Sequence, residues 1–122
     1  MHILMCNDDG ILADGLRHLA SYLSQYYRIT VVAPANEQSA KSHALTTEVP
    51  LKLDACNGED ENPRLYALTG TPSDCMKFGL SYLLTDDMPD LVISGINHGF
   101  NLGSDVLYSG TVSAAMERSE EH

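Results

Sequence analysis

Apolar positions in this chain fall into short unbroken runs separated by stretches with helical spacing. Ile3-Leu4-Met5-Cys6, Arg28-Ile29-Thr30-Val31-Val32-Ala33 and Leu91-Val92-Ile93-Ser94 are the runs, and such continuity predicts strands buried on both faces of a parallel sheet. Between the first two, Leu16, Leu19, Ala20 and Leu23 share one face of a helix that should start at an Asp14 cap and reach Tyr26. Strand, helix and strand make a right-handed βαβ unit, so the second strand should run parallel to the first and end at Pro34.

Further along, Leu51-Lys52-Leu53 and Arg64-Leu65-Tyr66-Ala67-Leu68 predict a hairpin around the acidic connection Asn57 to Pro63. Thr71 as cap, Pro72 at the first helical position and Asp74 two residues later then form a helix start. That helix should run to Leu84, with Cys75, Phe78, Gly79, Tyr82 and Leu83 along its apolar stripe. After the third buried strand, Val112 to Glu117 has strong helix-forming content behind the small, donor-rich entry Ser109-Gly110-Thr111. One sheet with helices, in one domain covering residues 1–122, is the expected organisation.

Composition narrows the function classes. Apolar residues make up 43% and charged residues 20% of 122, and no apolar run approaches the roughly 18 residues of a membrane span. The start lacks signal-peptide form, since only a few apolar residues precede an acidic pair; a cytoplasmic location is the default expectation. A net charge of −10, from 17 acids against 7 bases, argues against duplex nucleic acid as a partner, because neutralising phosphates needs clustered Lys and Arg. Cys6, Cys56 and Cys75 are odd in number and lack metal-ligand spacing; reduced thiols are expected, with Cys6 and Cys75 in the core.

The chemistry gathers where the strands end. The first strand runs into Asn7-Asp8-Asp9-Gly10, two like charges side by side that resist burial unless a cation or shared proton compensates. Ordinary turn chemistry accounts for the same four residues if the carboxylates do nothing more. The second strand is followed by a small polar loop containing Ser39, Lys41, Ser42 and His43. The third leads into Gly95-Ile96-Asn97-His98-Gly99-Phe100-Asn101-Leu102-Gly103, where glycines allow close backbone approach and carboxamides offer oxygen ligands or donors. If the strands are adjacent, Asp8, Asp9, Ser39, Asn97 and the Ser109 helix entry share one edge of the sheet. Two carboxylates, a hydroxyl and a carboxamide make an all-oxygen set for Mg²⁺ or Mn²⁺, and with a helix-start phosphate site they point to metal-assisted phosphoester hydrolysis. No phosphate loop of the Gly-x-x-x-x-Gly-Lys type occurs.

Four segments together resemble the SurE survival-protein family: Asn7-Asp8-Asp9-Gly10, Gly70-Thr71-Pro72-x-Asp74-Cys75, Ser94-Gly95-Ile96-Asn97-x-Gly99-x-Asn101-Leu102-Gly103 and Tyr108-Ser109-Gly110-Thr111-Val112. The resemblance implies a Rossmann-like three-layer α/β/α fold with a mostly parallel sheet. It also implies a metal-dependent phosphatase of nucleoside 5′- and 3′-monophosphates, also described as an acid phosphatase, that forms homodimers or homotetramers. By the same resemblance one divalent ion per subunit, Mg²⁺ or Mn²⁺, is held by Asp8, Asp9, Ser39 and Asn97. Asn101, Ser109, Gly110 and Thr111 match phosphate-side positions, and the mechanism expected of such a site uses Asp8 as metal ligand and base or, alternatively, as nucleophile. The sequence departs from the family where Ala40 and Lys41 follow Ser39 in place of glycine, and where Arg118-Ser119-Glu120-Glu121-His122 stands in place of a continuing helix. It is read as a member lacking the family's C-terminal segment.

Two other readings share these residues. A phospho-receiver signalling domain also places paired acids after its first strand, but needs an acceptor aspartate ending a central strand; Ser94 occupies that position, and Asp54 follows only a three-residue candidate. An inactive remnant that binds metal or nucleotide without turnover is the other.

Overall fold

The computed structural model describes residues 1–36 and 50–95, and the backbone of residues 108–111. Strand β1 spans His2–Cys6, helix α1 Asp14–Leu23 and strand β2 Arg28–Pro34. Strands β3, Leu53–Ala55, and β4, Arg64–Leu68, follow. Helix α2, Pro72–Phe78, continues as a wider π-helical turn over Gly79–Leu83; β5, Leu91–Ser94, and β6, Tyr108–Thr111, complete the elements. The described strands form one sheet in the order β3-β4-β2-β1-β5-β6. The central four are mutually parallel, while β3 and β6 pair antiparallel at the two margins. This is the expected α/β architecture with a mostly parallel sheet and a helix on each face.

Strand β1 lies at the centre because its five consecutive residues are all buried, a pattern only a strand covered on both faces can sustain. Alternation splits them between two cores. Ile3 and Met5 pack with Leu16 and Ala20 of α1, whereas Leu4 and Cys6 pack with Cys75 of α2 and with Val32, Leu68 and Val92. Each fully buried Leu or Ile contributes about 1.5–3 kcal/mol relative to exposure. Gly79 gives α2 its close approach, since a Cβ there would lie 3.1 Å from Leu4 Cδ2.

Several boundaries and caps differ from those the sequence predicts, each for a local reason. Ala13, not Asp14, caps α1, and it offers no side-chain bond; Asp14 instead sits in the first turn, where its negative charge complements the helix dipole. The helix ends at Leu23, and the chain keeps turning, with Tyr26 N and Tyr27 N both donating to Leu23 O. The hairpin forms two residues later than expected, as Leu53 to Ala55 pair with Leu68 to Tyr66. Tyr82 is 71% exposed and not part of the core stripe. The π turn inserts one extra residue per turn, seen in the bond from Leu84 N to Gly79 O, and rotates Leu84 inward in its place. The cap of α2 is as the sequence predicts: Thr71 Oγ1 accepts from Asp74 N and Asp74 Oδ2 accepts from Thr71 N.

The entry Ser109-Gly110-Thr111 is strand, not helix start. It pairs antiparallel with β5 in a register that sets Tyr108 opposite Ser94 and Thr111 opposite Leu91. Pairing with an otherwise open edge satisfies backbone groups that a helix start would leave unbonded. The expected helix over 112–117 lies outside the described residues. Among the described residues no helix is long and apolar enough to cross a membrane.

Candidate functional site

The order of the sheet defines where the chain can build a site. From β1 it moves to β2 and then β4 on one side, and returns past β1 to add β5 on the other. The strand order therefore reverses between β1 and β5. In open α/β sheets the loops diverge at the carboxyl ends of strands beside such a reversal, leaving a crevice for ligands. Asp8 and Asp9 leave β1 at that point, with Asp8 exposed and Asp9 half-buried. Gly95, which leaves β5, donates its N–H to Cys6 O at 2.9 Å and so keeps the two strand ends in contact up to the edge.

The acidic turn has its own internal support. Asn7 is fully buried, and its side chain bonds twice to Gly10: Nδ2 donates to Gly10 O at 3.0 Å, and Oδ1 accepts from Gly10 N at 3.1 Å. Gly10 adopts φ +111°, a conformation that favours glycine, and a Cβ there would sit 3.3 Å from Pro34 O. The next residue, Ile11, donates to that same Pro34 oxygen at 2.8 Å, tying the turn to the carboxyl end of β2. Asn7 is the residue that reasoning from the sequence passed over. Its signal was present, because an asparagine three residues before a glycine is a means of closing a loop on itself.

The other predicted residues divide between edge, far edge and regions not described. Ser39, Asn97 and Asn101 lie outside the described residues, although the segments that carry them follow β2 and β5, the two strands flanking β1. Ser109 is registered with Ile93, one position inside the carboxyl edge of β5. Gly110 is registered with Val92, and Thr111 with Leu91 at the amino end of that strand. Asp54 lies within β3, an antiparallel strand three positions from β1, so no receiver-type acceptor aspartate follows a central strand there.

Titratable groups near the strands add no rival nucleophile among the described residues. Cys6 and Cys75 are buried free thiols; burial pushes Cys6 up to about 12, and Cys75 is raised as well, first by burial and then by Cys6 and Asp74 nearby. Both are core residues, as the sequence suggests. His2 is buried at the amino end of β1, the opposite end from Asp8 and Asp9. A 560 Å³ hollow beside it is lined by Met1, Ser24, Arg28, Asn62, Asp87 and Asp90, among others, and belongs to that far end.

The donor chemistry of the acidic turn suits a hard divalent cation. It offers two consecutive carboxylates, while the Asn7 carboxamide is engaged with Gly10. Among the described residues no cluster of three or more His, Cys, Asp or Glu could hold a metal by itself. Ser39 and Asn97, the further oxygen donors expected from the sequence, lie outside the described residues.

Fold and edge together define a doubly wound α/β domain with a carboxylate-bearing turn at its topological switch point. The model of the family described as "Survival protein SurE" matches residues 3–121, and the chain belongs to that family. It is 55% identical over 117 residues to a protein named 5′-nucleotidase SurE from Thermoanaerobacter sp. (strain X514), an alignment covering 96% of this chain and 46% of the relative. The protein of the same name from Vibrio vulnificus (strain YJ016) is 52% identical over 117 residues, with 96% and 44% covered. Among solved structures, the SurE protein from Aquifex aeolicus superposes with a TM-score of 0.64 at 43% identity, covering 96% of this chain and 46% of that one. The chain thus spans a little under half the length of these relatives.

Proposed function

We propose that this chain carries the acidic half of a divalent-metal-dependent phosphomonoesterase that hydrolyses nucleoside 5′-monophosphates, and 3′-monophosphates as well, to nucleoside and phosphate. The observation that carries the reading is the position of Asp8-Asp9: adjacent carboxylates at the strand reversal, in a chain whose relatives bear the name 5′-nucleotidase. Asp8 and Asp9, with Ser39 and Asn97, would hold one Mg²⁺ or Mn²⁺. When bound, such an ion polarises a phosphoryl oxygen and makes a water molecule more acidic.

The protein's own groups do the rest. Asp8 takes the proton of the attacking water, and Asn101 and Ser109 donate to the phosphoryl oxygens as charge spreads over them during in-line transfer. Gly110 and Thr111 belong to the same phosphate-side set in this reading. The partners in this reading are a nucleoside monophosphate and further copies of the chain in a homodimer or homotetramer. Phosphate release from nucleoside 5′- and 3′-monophosphates with Mn²⁺ tests it beside Asp8→Asn. The substitution should lower turnover by about 10²–10⁴-fold. Equal rates in the two proteins would overturn the assignment.

A further inference from the structure

The carboxamide of Asn7 is fully buried one residue before the acidic pair, and nothing in the reaction above uses it. Burying an amide without partners costs free energy, so its bonds define what it does. Both functions engage Gly10, the donor on the carbonyl and the acceptor on the N–H, and so bridge the first and last residues of Asn7-Asp8-Asp9-Gly10. On either side the backbone is fixed as well, by Gly95 N on Cys6 O before the turn and by Ile11 N on Pro34 O after it. The segment carrying Asp8 and Asp9 therefore has no slack at either end.

Resting on the reading that Asp8 and Asp9 hold a divalent cation, we infer that Asn7 is the positioning residue of that site: its clamp on Gly10 holds the backbone so that two like charges stay side by side before any ion arrives. Adjacent carboxylates repel, and a slack turn would let them separate. An arriving cation would then have to order the turn as it bound, which weakens affinity. Asparagine is the side chain this requires. Aspartate has no donor for Gly10 O, and leucine, though similar in size, would strip Gly10 N–H of the Asn7 bond and leave Gly10 O only the bond from Ala13 N.

The test is Mn²⁺ affinity, read from the loss of the free-ion electron paramagnetic resonance signal on titration, with thermal stability measured in parallel. Asn7→Ala should weaken Mn²⁺ binding by about 10–100-fold at a temperature where the variant is fully folded. Ile29→Ala, a core truncation at the far end of β2, should lower the melting temperature and leave Mn²⁺ affinity unchanged. If Asn7→Ala does not fold, Gly10→Ala replaces it, straining the same turn at φ +111° with the same expected loss. Wild-type affinity in the turn variant, or a loss in Ile29→Ala that tracks its stability, overturns the positioning role alone, provided Asp8→Asn binds poorly. Absence of Mn²⁺ binding by the wild type, or binding by Asp8→Asn as tight as wild type, overturns the metal reading and the positioning role with it.

Discussion

At the amino edge of the parallel strands polar groups bond across three segments, whereas at the carboxyl edge a buried asparagine bonds to a glycine three residues ahead. His2 Nε2 meets Thr30 Oγ1 at 2.7 Å and Nδ1 lies 3.1 Å from Asp87 O, joining β1, β2 and the segment before β5. His2 N donates to Asp90 Oδ2, Asp90 N donates to His2 O, and Arg28 pairs with Asp87. Charges there are of both signs, with Arg28 beside Asp87 and Asp90 nearby. At the other edge two carboxylates stand together; the Asn7 side chain bonds within their own turn, and backbone bonds run from Ile11 to Pro34 and from Gly95 to Cys6. The difference separates two uses of polar side chains: at one edge His2 ties strands to one another, and at the other Asn7 holds a local shape on which like charges are presented. Changes at the amino edge should therefore alter stability without altering cation binding.

His2→Ala is the largest such change. It empties a buried site and strips the Thr30 hydroxyl of its partner, at an expected cost of about 2–4 kcal/mol. A urea-unfolding midpoint measures that loss, and Mn²⁺ affinity of the folded variant should stay within about twofold of wild type, a small fraction of the effect expected at a ligand's supporting residues. A variant that loses Mn²⁺ affinity while keeping its stability would erase the distinction between the edges.

How much of this was legible beforehand follows from the range of each interaction. Strand β1, the parallel partner β2 and the capping box at Thr71 depend on neighbouring residues or on unbroken apolar runs, so they could be read from the sequence. Tyr82 could not be placed, because one extra residue in a helical turn is decided by how Gly79 meets Leu4 across the core. Thr111 could not either, since Ser109-Gly110-Thr111 suits a helix entry locally and only the open edge of β5 makes it a strand. For the candidate site the address was legible, as Asp8 and Asp9 follow an obvious strand. The strand reversal beside them, and the clamp from Asn7, depend on the order of strands and on a side chain turning back onto its own backbone.

The pH dependence of stability sharpens the comparison further. The His2 pKa is lowered, first by burial and then by Arg28, with Asp87 and Asp90 opposing more weakly. A histidine whose folded pKa lies below its unfolded value, near 6.5, contributes stability that is present above about pH 6.5 and lost as pH falls toward the folded pKa. Urea midpoints without added metal should therefore fall between about pH 7 and pH 5 in the wild type. In His2→Gln, which cannot titrate, the slope over that interval should be shallower. Identical slopes would mean that the amino-edge network does not sense protonation at His2.

The smallest effect belongs to Arg28. Its Nη2 lies 2.6 Å from Asp87 Oδ1, the shortest ion pair among the described residues, yet the two side chains are 59% and 50% exposed. Solvent screens such a pair, and holding two mobile side chains in one geometry costs entropy, so a short distance does not imply a large contribution. Arg28→Gln should cost about 0.2–1 kcal/mol in urea unfolding. Removing the guanidinium also takes away a positive charge that disfavours protonated His2, so the acid-side fall in stability should become shallower as the His2 pKa rises. A loss as large as that of His2→Ala would make the exposed pair, rather than the buried imidazole, the element that ties the amino edge together.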